Sequence, residues 1–149
     1  MKSHYRVVVI GGGVVGTSVI YHLAKFGWSD VCMLERSVLT AGSSWHAAGG
    51  IHALNADPNI SALQAYTIDL LQEIEAESGQ DIGLHMTGGL TMAGTPDRWE
   101  WLQSQYRVYQ SIGISDCRLV TPKEAGERNP IMSTEGLLGG MWADREGYL

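Results

Sequence analysis

The hydrophobic pattern at the start of the chain predicts a strand, a helix and a second strand in close succession. Consecutive β-branched side chains within residues 6–10 are typical of a buried strand, and a glycine triplet ends it. Apolar residues recur at helical spacing over residues 14–26, and Gly27 is the expected C-cap. Residues 31–34 form a second short apolar run, which the charged pair Glu35-Arg36 ends. This order predicts a βαβ unit.

A long helix and a hairpin are predicted next. Asp57-Pro58 is a typical helix start and Gly79 a typical stop, and apolar residues between them lie at helical spacing. The apolar stripe consists of Ile60, Leu63, Leu70, Leu71 and Ile74. Residues 84–86 and 90–93 flank a Thr-Gly-Gly turn, so the sequence predicts that these two runs pair as a β-hairpin.

The remaining residues predict two more helices and two short strands. Thr95-Pro96 begins a helix that Gly113 ends. The run Thr121-Pro122-Lys123-Glu124 has the pattern of a capping box and begins a short helix. Residues 118–120 and 137–142 lie on either side of that helix and are the predicted strands.

The fold class indicated by this pattern is α/β. A Rossmann-like βαβ unit begins a doubly wound parallel sheet, and the beginning of a mixed or antiparallel domain follows it. We place the boundary near residue 80, which divides the chain into residues 1–80 and residues 81–149.

Charge and cysteine content exclude several classes of protein. The 16 Asp and Glu residues against 10 Lys and Arg give a net charge of −6, which argues against a nucleic-acid binder. No apolar run approaches the ~18 residues of a membrane span, and the first residues resemble neither a signal peptide nor a transit peptide. Cys32 and Cys117 lie far apart, in no metal or redox spacing, so we expect a cytoplasmic location and no metal site.

The glycine-rich turn after the first strand has the spacing G-x-G-x-x-G. Gly11 permits the tight turn, Gly13 lets the backbone approach a pyrophosphate, and Gly16 lets the helix pack close to the strand. The helix begins at Val14 and Val15, where free N–H groups and the helix dipole favour an anion. The succession of strand, turn and helix therefore predicts a dinucleotide-binding site.

A carboxylate that can bind a ribose lies at the expected distance along the chain. Glu35 follows Gly16 by 19 residues, at the end of the second strand, where its oxygens can accept hydrogen bonds from ribose hydroxyls. Its charge disfavours a 2′-phosphate. Arg36 either offsets that charge in part or is an ordinary surface residue. The motif by itself does not separate FAD from NAD.

Together with these motifs, the segment Leu39-Thr40-Ala41-Gly42-Ser43-Ser44-Trp45-His46-Ala47-Ala48-Gly49 resembles the flavin-dependent dimethylglycine and sarcosine dehydrogenases, and the run Ser44-Trp45-His46-Ala47-Ala48-Gly49 is its specific part. Those enzymes belong to the glycine-oxidase-like, D-amino-acid-oxidase-type flavoproteins. The resemblance continues through residues 77–79, 88–90, 119–125 and 144–148, and so covers nearly the whole chain. It departs at Asn129 and at Glu146-Gly147, which leaves the identity of the substrate open.

The resemblance implies FAD as the cofactor and His46 as its covalent attachment residue. In the family the corresponding histidine is bonded to the 8α-methyl carbon of FAD. Small neighbours of the histidine, with Ser43, Ser44 and Gly49 among them, would let the isoalloxazine ring come close. Ser43 and Ser44 either donate hydrogen bonds to the pyrophosphate or cap a short helix. Trp45 either packs within the fold or forms a wall of the flavin site.

The resemblance also assigns a role to each part of the chain. Residues 1–80 begin an FAD-binding domain, and residues 81–149 begin a substrate domain that remains incomplete. The full-length enzyme is implied to demethylate an N-methyl amino acid such as dimethylglycine or sarcosine, with an electron-transfer flavoprotein or oxygen as electron acceptor. Tetrahydrofolate would bind only through a C-terminal region absent here. We expect the fragment alone to be inactive, and its sequence assigns no catalytic residue.

Two other functions remain compatible with the glycine motif. One is the nucleotide-binding module of an NAD-dependent oxidoreductase. The other is a truncated, non-enzymatic remnant that binds a nucleotide weakly or not at all. The segment around Trp45 and His46 favours the flavin enzyme over the first alternative, because a nicotinamide enzyme has no need of it.

Overall fold

The computed structural model describes residues 2–149. The chain divides into two compact units, of which the first ends at Ala48 and the second is Gly49–Leu149. The predicted boundary near residue 80 concerns the domains of a longer protein, and it remains a prediction. Among the described residues, no helix combines the length and the apolar character needed to cross a membrane.

The first unit is the βαβ arrangement that the sequence predicts. Its elements are β1 (Val7–Ile10), α1 (Val14–Lys25) and β2 (Val31–Leu34). The two strands pair in parallel, with Val7 opposite Val31 and Ile10 opposite Leu34. Because the Gly11 N–H also donates to the Leu34 carbonyl at 2.8 Å, the glycine turn leaves the sheet at the carboxyl ends of both strands. Ligands of doubly wound folds bind at this edge.

The second unit contains helices on antiparallel strands. Its elements, in chain order, are β3 (Gly50–Ile51), α2 (Pro58–Ser78), β4 (Gly89–Ala93), α3 (Pro96–Ser111), β5 (Cys117–Val120), α4 (Pro122–Arg128), β6 (Gly139–Ala143) and β7 (Gly147–Tyr148). Strand β6 lies between β4 and β5 and pairs antiparallel with both. Strands β3 and β7 pair antiparallel in a separate short ladder.

The core of the second unit forms where α3 packs on this sheet. Its buried side chains are contributed by α3 and by all three strands, and they are Ala93, Leu102, Tyr109, Cys117 and Met141. The cysteine is a free thiol, and burial raises its pKa. Cys117 is therefore a small buried side chain of the core.

Helix boundaries follow the capping residues that the sequence shows. The Asp57 carboxylate accepts hydrogen bonds from the Asn59 and Ile60 N–H groups, and Gly79 ends α2 with a φ of 66°. At α4 the Thr121–Glu124 capping box is present in both directions. These contacts satisfy N–H groups that a helix start otherwise leaves without partners.

The structure corrects two predictions in this unit. The hairpin of residues 84–86 with residues 90–93 is wrong: β4 pairs with β6, while His85 forms a bridge to Tyr148. Long-range pairing with β6 buries Met141 against α3, which a local hairpin would not do. The predicted apolar stripe of α2 is correct only in part: Leu70 is buried as predicted, whereas Ile60 and Leu63 are exposed. Ile68, which lies outside the predicted stripe, is also buried.

Candidate cofactor site

The glycine turn depends on two of its glycines for its geometry. Gly11 adopts a φ of 105°, in a region that side chains disfavour. A Cβ on Gly16 would overlap the backbone oxygen of Gly11 and lie 3.5 Å from the Val9 Cγ1 atom. The start of α1 therefore packs directly on the turn, and neither glycine can be replaced without moving backbone.

The start of α1 is capped from another part of the chain. Gly13 is the N-cap residue and supplies no side chain, while the Val14 N–H donates to Ser44 Oγ at 2.9 Å. A Cβ on Gly13 would lie 3.1 Å from that same oxygen. The Ser44 hydroxyl thus lies at the helix N-terminus, where Val14 and Val15 are largely exposed.

Glu35 binds the glycine turn through its carboxylate. Its Oε2 accepts from the Gly12 N–H at 2.8 Å and its Oε1 from the Ser37 N–H at 2.9 Å. The Gly12 N–H is the main cause of a lowered Glu35 pKa; the Ser37 N–H and the charge of Arg36 act in the same direction, against a small effect of burial. Each oxygen keeps a lone pair for a further donor.

These residues line one cleft within the first unit. The cleft measures about 520 Å³ and its walls are Gly13, Glu35, Arg36, Ser37, Ala41 and Gly42. That volume lies in the range of small-molecule sites. The structure thus brings together the glycine turn, the predicted ribose carboxylate and the loop of Ala41 and Gly42 that precedes His46.

Three of these wall residues, Ser37, Ala41 and Gly42, are not among the predicted cofactor-binding residues, although Ala41 and Gly42 lie in the segment that carries the resemblance. They lie in a segment without hydrophobic periodicity, where the high content of small residues is the sequence feature that indicates a close approach to a ligand. Thr40 connects this loop to the glycine turn. Its N–H donates to the Gly12 carbonyl at 3.0 Å, and it has a positive φ of 66°, which is unusual for a β-branched residue.

The segment with the predicted attachment residue forms a 3₁₀ turn, Ser43–His46. Its N-cap is Gly42, without a side-chain hydrogen bond, so neither Ser43 nor Ser44 caps this turn. The Ser44 hydroxyl instead accepts a hydrogen bond from the Val14 N–H at the start of α1. Trp45 is 75% exposed, so its ring is not packed within the described residues.

His46 is exposed and has one defined contact. Its Nδ1 lies 3.1 Å from the Gly42 carbonyl oxygen. A carbonyl can only accept, so this contact requires a proton on Nδ1, and in the neutral tautomer with that proton the lone pair is on Nε2. The nitrogen with nucleophilic character is therefore the one that makes no hydrogen bond among residues 2–149.

Gly49 is the remaining sequence-predicted residue, and it belongs to the second unit. It adopts a φ of 76°, and a Cβ there would lie 2.6 Å from the Leu149 oxygen. Its carbonyl accepts from the Leu149 N–H at 2.9 Å. These contacts explain a glycine at this position, and its part in cofactor binding remains a prediction.

Comparison with known proteins identifies relatives along nearly the whole chain. A model of the FAD-dependent oxidoreductase (DAO) family matches residues 6–149. The mitochondrial dimethylglycine dehydrogenase of Rattus norvegicus is 34% identical over 148 residues, which are 99% of this chain and 17% of that protein. The mitochondrial sarcosine dehydrogenase of Homo sapiens is 32% identical over 150 residues, which are 100% of this chain and 16% of that protein.

A further relative is named as a regulatory subunit and not as an oxidoreductase. The mitochondrial pyruvate dehydrogenase phosphatase regulatory subunit of Mus musculus is 33% identical over 149 residues, which are 100% of this chain and 17% of that protein. Among solved structures, L-proline dehydrogenase from P. horikoshii superposes with a TM-score of 0.89 and 24% identity, over 99% of this chain and 38% of that one. That likeness shows the fold. The chain spans about a sixth of the length of these curated relatives.

Proposed function

The chain belongs to the family of FAD-dependent oxidoreductases, and from that premise we propose that the complete protein oxidatively demethylates a small N-methyl amino acid. The substrates that we propose are dimethylglycine and sarcosine, after the names of the related dehydrogenases. The observation that carries the proposal is the cleft in which Glu35, Gly13 and the loop before His46 meet. When bound there, FAD would accept the two electrons released as the N-methyl group is oxidised.

The described residues fit the adenosine and pyrophosphate parts of FAD. Glu35 has free lone pairs for the ribose hydroxyls while the Gly12 N–H holds its carboxylate in place. At the start of α1, the Ser44 hydroxyl accepts from Val14 and keeps its own proton for a phosphate oxygen. Gly13 leaves that oxygen room to approach. Arg36 lines the same cleft and offers a positive charge to the phosphates.

Replacing Ser44 with alanine tests this phosphate contact. We expect FAD affinity to fall about tenfold, the loss of one hydrogen bond to a charged group. Affinity is measured by flavin fluorescence in a His46→Ala background, where binding is reversible. Ser43→Ala is the matched comparison, because the Ser43 hydroxyl makes no hydrogen bond among the described residues, and we expect a smaller effect. Equal effects at the two serines would contradict the assignment.

His46 is the residue that we propose to attach FAD covalently. With its Nδ1 proton directed to the Gly42 carbonyl, Nε2 is the atom that would bond to the 8α-methyl carbon. That bond would replace a C–H bond of the methyl group; the proton of that C–H bond would be released to solvent, and the two electrons would pass to an external acceptor such as oxygen. The Gly42 carbonyl would hold the ring in the tautomer that this bond requires.

The attachment is tested by acid precipitation of the complete protein. We expect yellow colour to remain with the wild-type pellet, and to be lost from His46→Ala while turnover of dimethylglycine or sarcosine falls. His4→Ala, an exposed histidine outside the cleft, is the control and keeps its colour. Flavin released by acid from the wild type would exclude the covalent bond and leave FAD binding intact. Protein purified without any flavin would contradict the FAD assignment itself.

A second candidate, a non-enzymatic function, rests on the similarity to the pyruvate dehydrogenase phosphatase regulatory subunit. In that case the chain is part of a protein that binds a nucleotide and catalyses no oxidation. Turnover separates the two candidates, because only the first predicts formaldehyde or its folate adduct from an N-methyl substrate. The nicotinamide alternative is disfavoured, because the matching family uses FAD.

The electron acceptor, the binding of tetrahydrofolate and the location of the protein in the cell remain proposals. An electron-transfer flavoprotein or oxygen would reoxidise the flavin, and tetrahydrofolate would bind outside this chain. A cytoplasmic location remains the prediction from the sequence, whereas the related dehydrogenases of rat and human are named as mitochondrial proteins.

A further inference from the structure

A second group of ionisable side chains lies around the short β3–β7 ladder of the second unit. In that ladder Gly50 lies opposite Tyr148, and Ile51 lies opposite Gly147. Continuing the same antiparallel register by one residue places His52 opposite Glu146. Directly opposed residues lie within side-chain reach, so an imidazole and a carboxyl group come together at the end of the ladder.

The space for the Glu146 carboxyl group is provided by a glycine on β4. A Cβ on Gly89 would overlap the Oε2 atom of Glu146, so the carboxyl group lies directly on the Gly89 backbone. The backbone of Glu146 is fixed as well, since its carbonyl accepts from the Gly88 N–H at 2.8 Å. The side chain therefore has a defined position, partly buried beside the three-stranded sheet.

The nearby charge of His52 compensates this carboxyl group only at a distance, because among residues 2–149 its side chain has no hydrogen-bond or ion-pair partner. No hydrogen-bond donor reaches either of its oxygens there. The neighbouring Arg145 is directed elsewhere, with contacts of 2.5 Å to Asp69 Oδ1, 3.2 Å to the Ala65 carbonyl and 4.0 Å to Asp116 Oδ2. A partly buried carboxylate without a hydrogen-bonded or ion-paired partner is costly, and a ligand that supplied such a partner would offset this cost.

We propose that Glu146, with His52 beside it, binds the ammonium group of the amine substrate. The inference rests on the proposed function and adds to it a residue that selects a cation. An N-methyl amino acid carries this positive charge next to its carboxylate at neutral pH. A carboxylate of fixed position attracts such a cation, and it repels ligands that present only a carboxylate.

The titration of Glu146 gives the assignment a pH dependence. Burial is the main cause that raises the Glu146 pKa; the charge of His52 lowers it, and the charge of Asp116 raises it again. Tyr109 and Cys117 also face this carboxyl group; burial is the main cause that raises the pKa of each, and the charge of Glu146 adds to it. Because protonation removes the charge that binds the cation, affinity falls as the pH drops through the raised pKa.

The test compares two ligands on the flavin-loaded complete protein. Trimethylglycine carries a permanent cation and no amine lone pair, so it cannot be oxidised as a substrate. Methoxyacetate has a similar size and an ether oxygen in place of the cation. We expect Glu146→Gln to raise the calorimetric Kd of trimethylglycine about tenfold, the value of one ion pair in a partly buried site, and to leave that of methoxyacetate within twofold. Glu135→Gln, at an exposed carboxylate, is the matched control and changes neither.

Three results would overturn the assignment: an unchanged trimethylglycine Kd, equal weakening of both ligands, or no trimethylglycine binding to the wild type. If Glu146→Gln fails to fold, the pH dependence of ligand binding to the wild type provides the test. Its affinity for trimethylglycine, and not for methoxyacetate, must then fall between pH 7 and pH 4. A protein that keeps covalent flavin and turnover but fails these tests refutes only the Glu146 assignment. One that lacks flavin refutes the proposed function.

Discussion

A Gly16→Ala variant is expected to lose FAD binding. The added methyl group would overlap the backbone oxygen of Gly11, and no side-chain rotation relieves a clash between a Cβ and the backbone. Either the glycine turn or the start of α1 must move, and both contribute to the cleft. Overpacking of this kind costs about 1–3 kcal/mol of folding free energy. We expect FAD affinity to fall by more than about 100-fold.

The measurement is reconstitution with FAD in the His46→Ala background, together with thermal unfolding. Gly94→Ala is the matched control, because the nearest atom to its added Cβ is Leu137 Cδ2 at an ordinary 3.9 Å. We expect this variant to bind FAD as the parent does. Retention of FAD affinity within threefold in Gly16→Ala would show that the pyrophosphate does not lie against this turn.

The second large effect is expected for Glu35→Gln. Both carboxylate oxygens accept a backbone N–H, from Gly12 and from Ser37. A glutamine has one acceptor oxygen, so its amide N–H₂ must face one of these two donors, and one bond is lost in either orientation. The variant also removes an acceptor for the ribose hydroxyls. We expect FAD affinity to fall about 10- to 100-fold, measured as for Gly16→Ala.

The same substitution has a signature in the pH dependence of stability. The pKa of Glu35 lies below its ordinary value of 4.5 in the folded chain. Its stabilising contribution is therefore complete above that ordinary value, and it is lost as the pH falls through the folded pKa. The difference in Tm between wild type and Glu35→Gln should accordingly shrink from pH 7 to pH 3. Glu100→Gln, at an exposed carboxylate, should show no such trend; a constant difference for Glu35→Gln would exclude the carboxylate as its source.

The cofactor motif could be predicted from sequence because its requirements are local. The strand before Gly11, the helix after Gly13 and the strand before Glu35 depend on hydrophobic spacing and on glycine backbone freedom, which neighbouring residues determine. The structure confirms them at nearly the predicted bounds. Asp57 and Thr121 were predictable as helix starts for the same reason, since a cap forms with the next three residues.

Pairing over long distances was not predictable in this way. Residues 84–93 have a turn and two apolar runs, and they favour a hairpin locally. The actual partner of β4 is β6, because that pairing buries a common core against α3. A single sequence contains no measure of that gain. The exposed Ile60 and the buried Ile68 on α2 show the same limit: helical spacing defines a stripe, and the neighbouring elements decide which part of it is covered.

The sequence by itself therefore determined the βαβ unit, its glycine turn, the identity of the carboxylate that follows and the resemblance that implies FAD. Only the tertiary structure shows that Ser44 caps α1, that Gly12 and Ser37 hold Glu35, and that Glu146 lies on Gly89 without a hydrogen-bond or ion-pair partner among the described residues. The physical reason is the range of the forces involved. Helix propensity, capping and turn geometry act over a few residues, whereas burial and electrostatic compensation depend on partners that the chain brings together only when it folds.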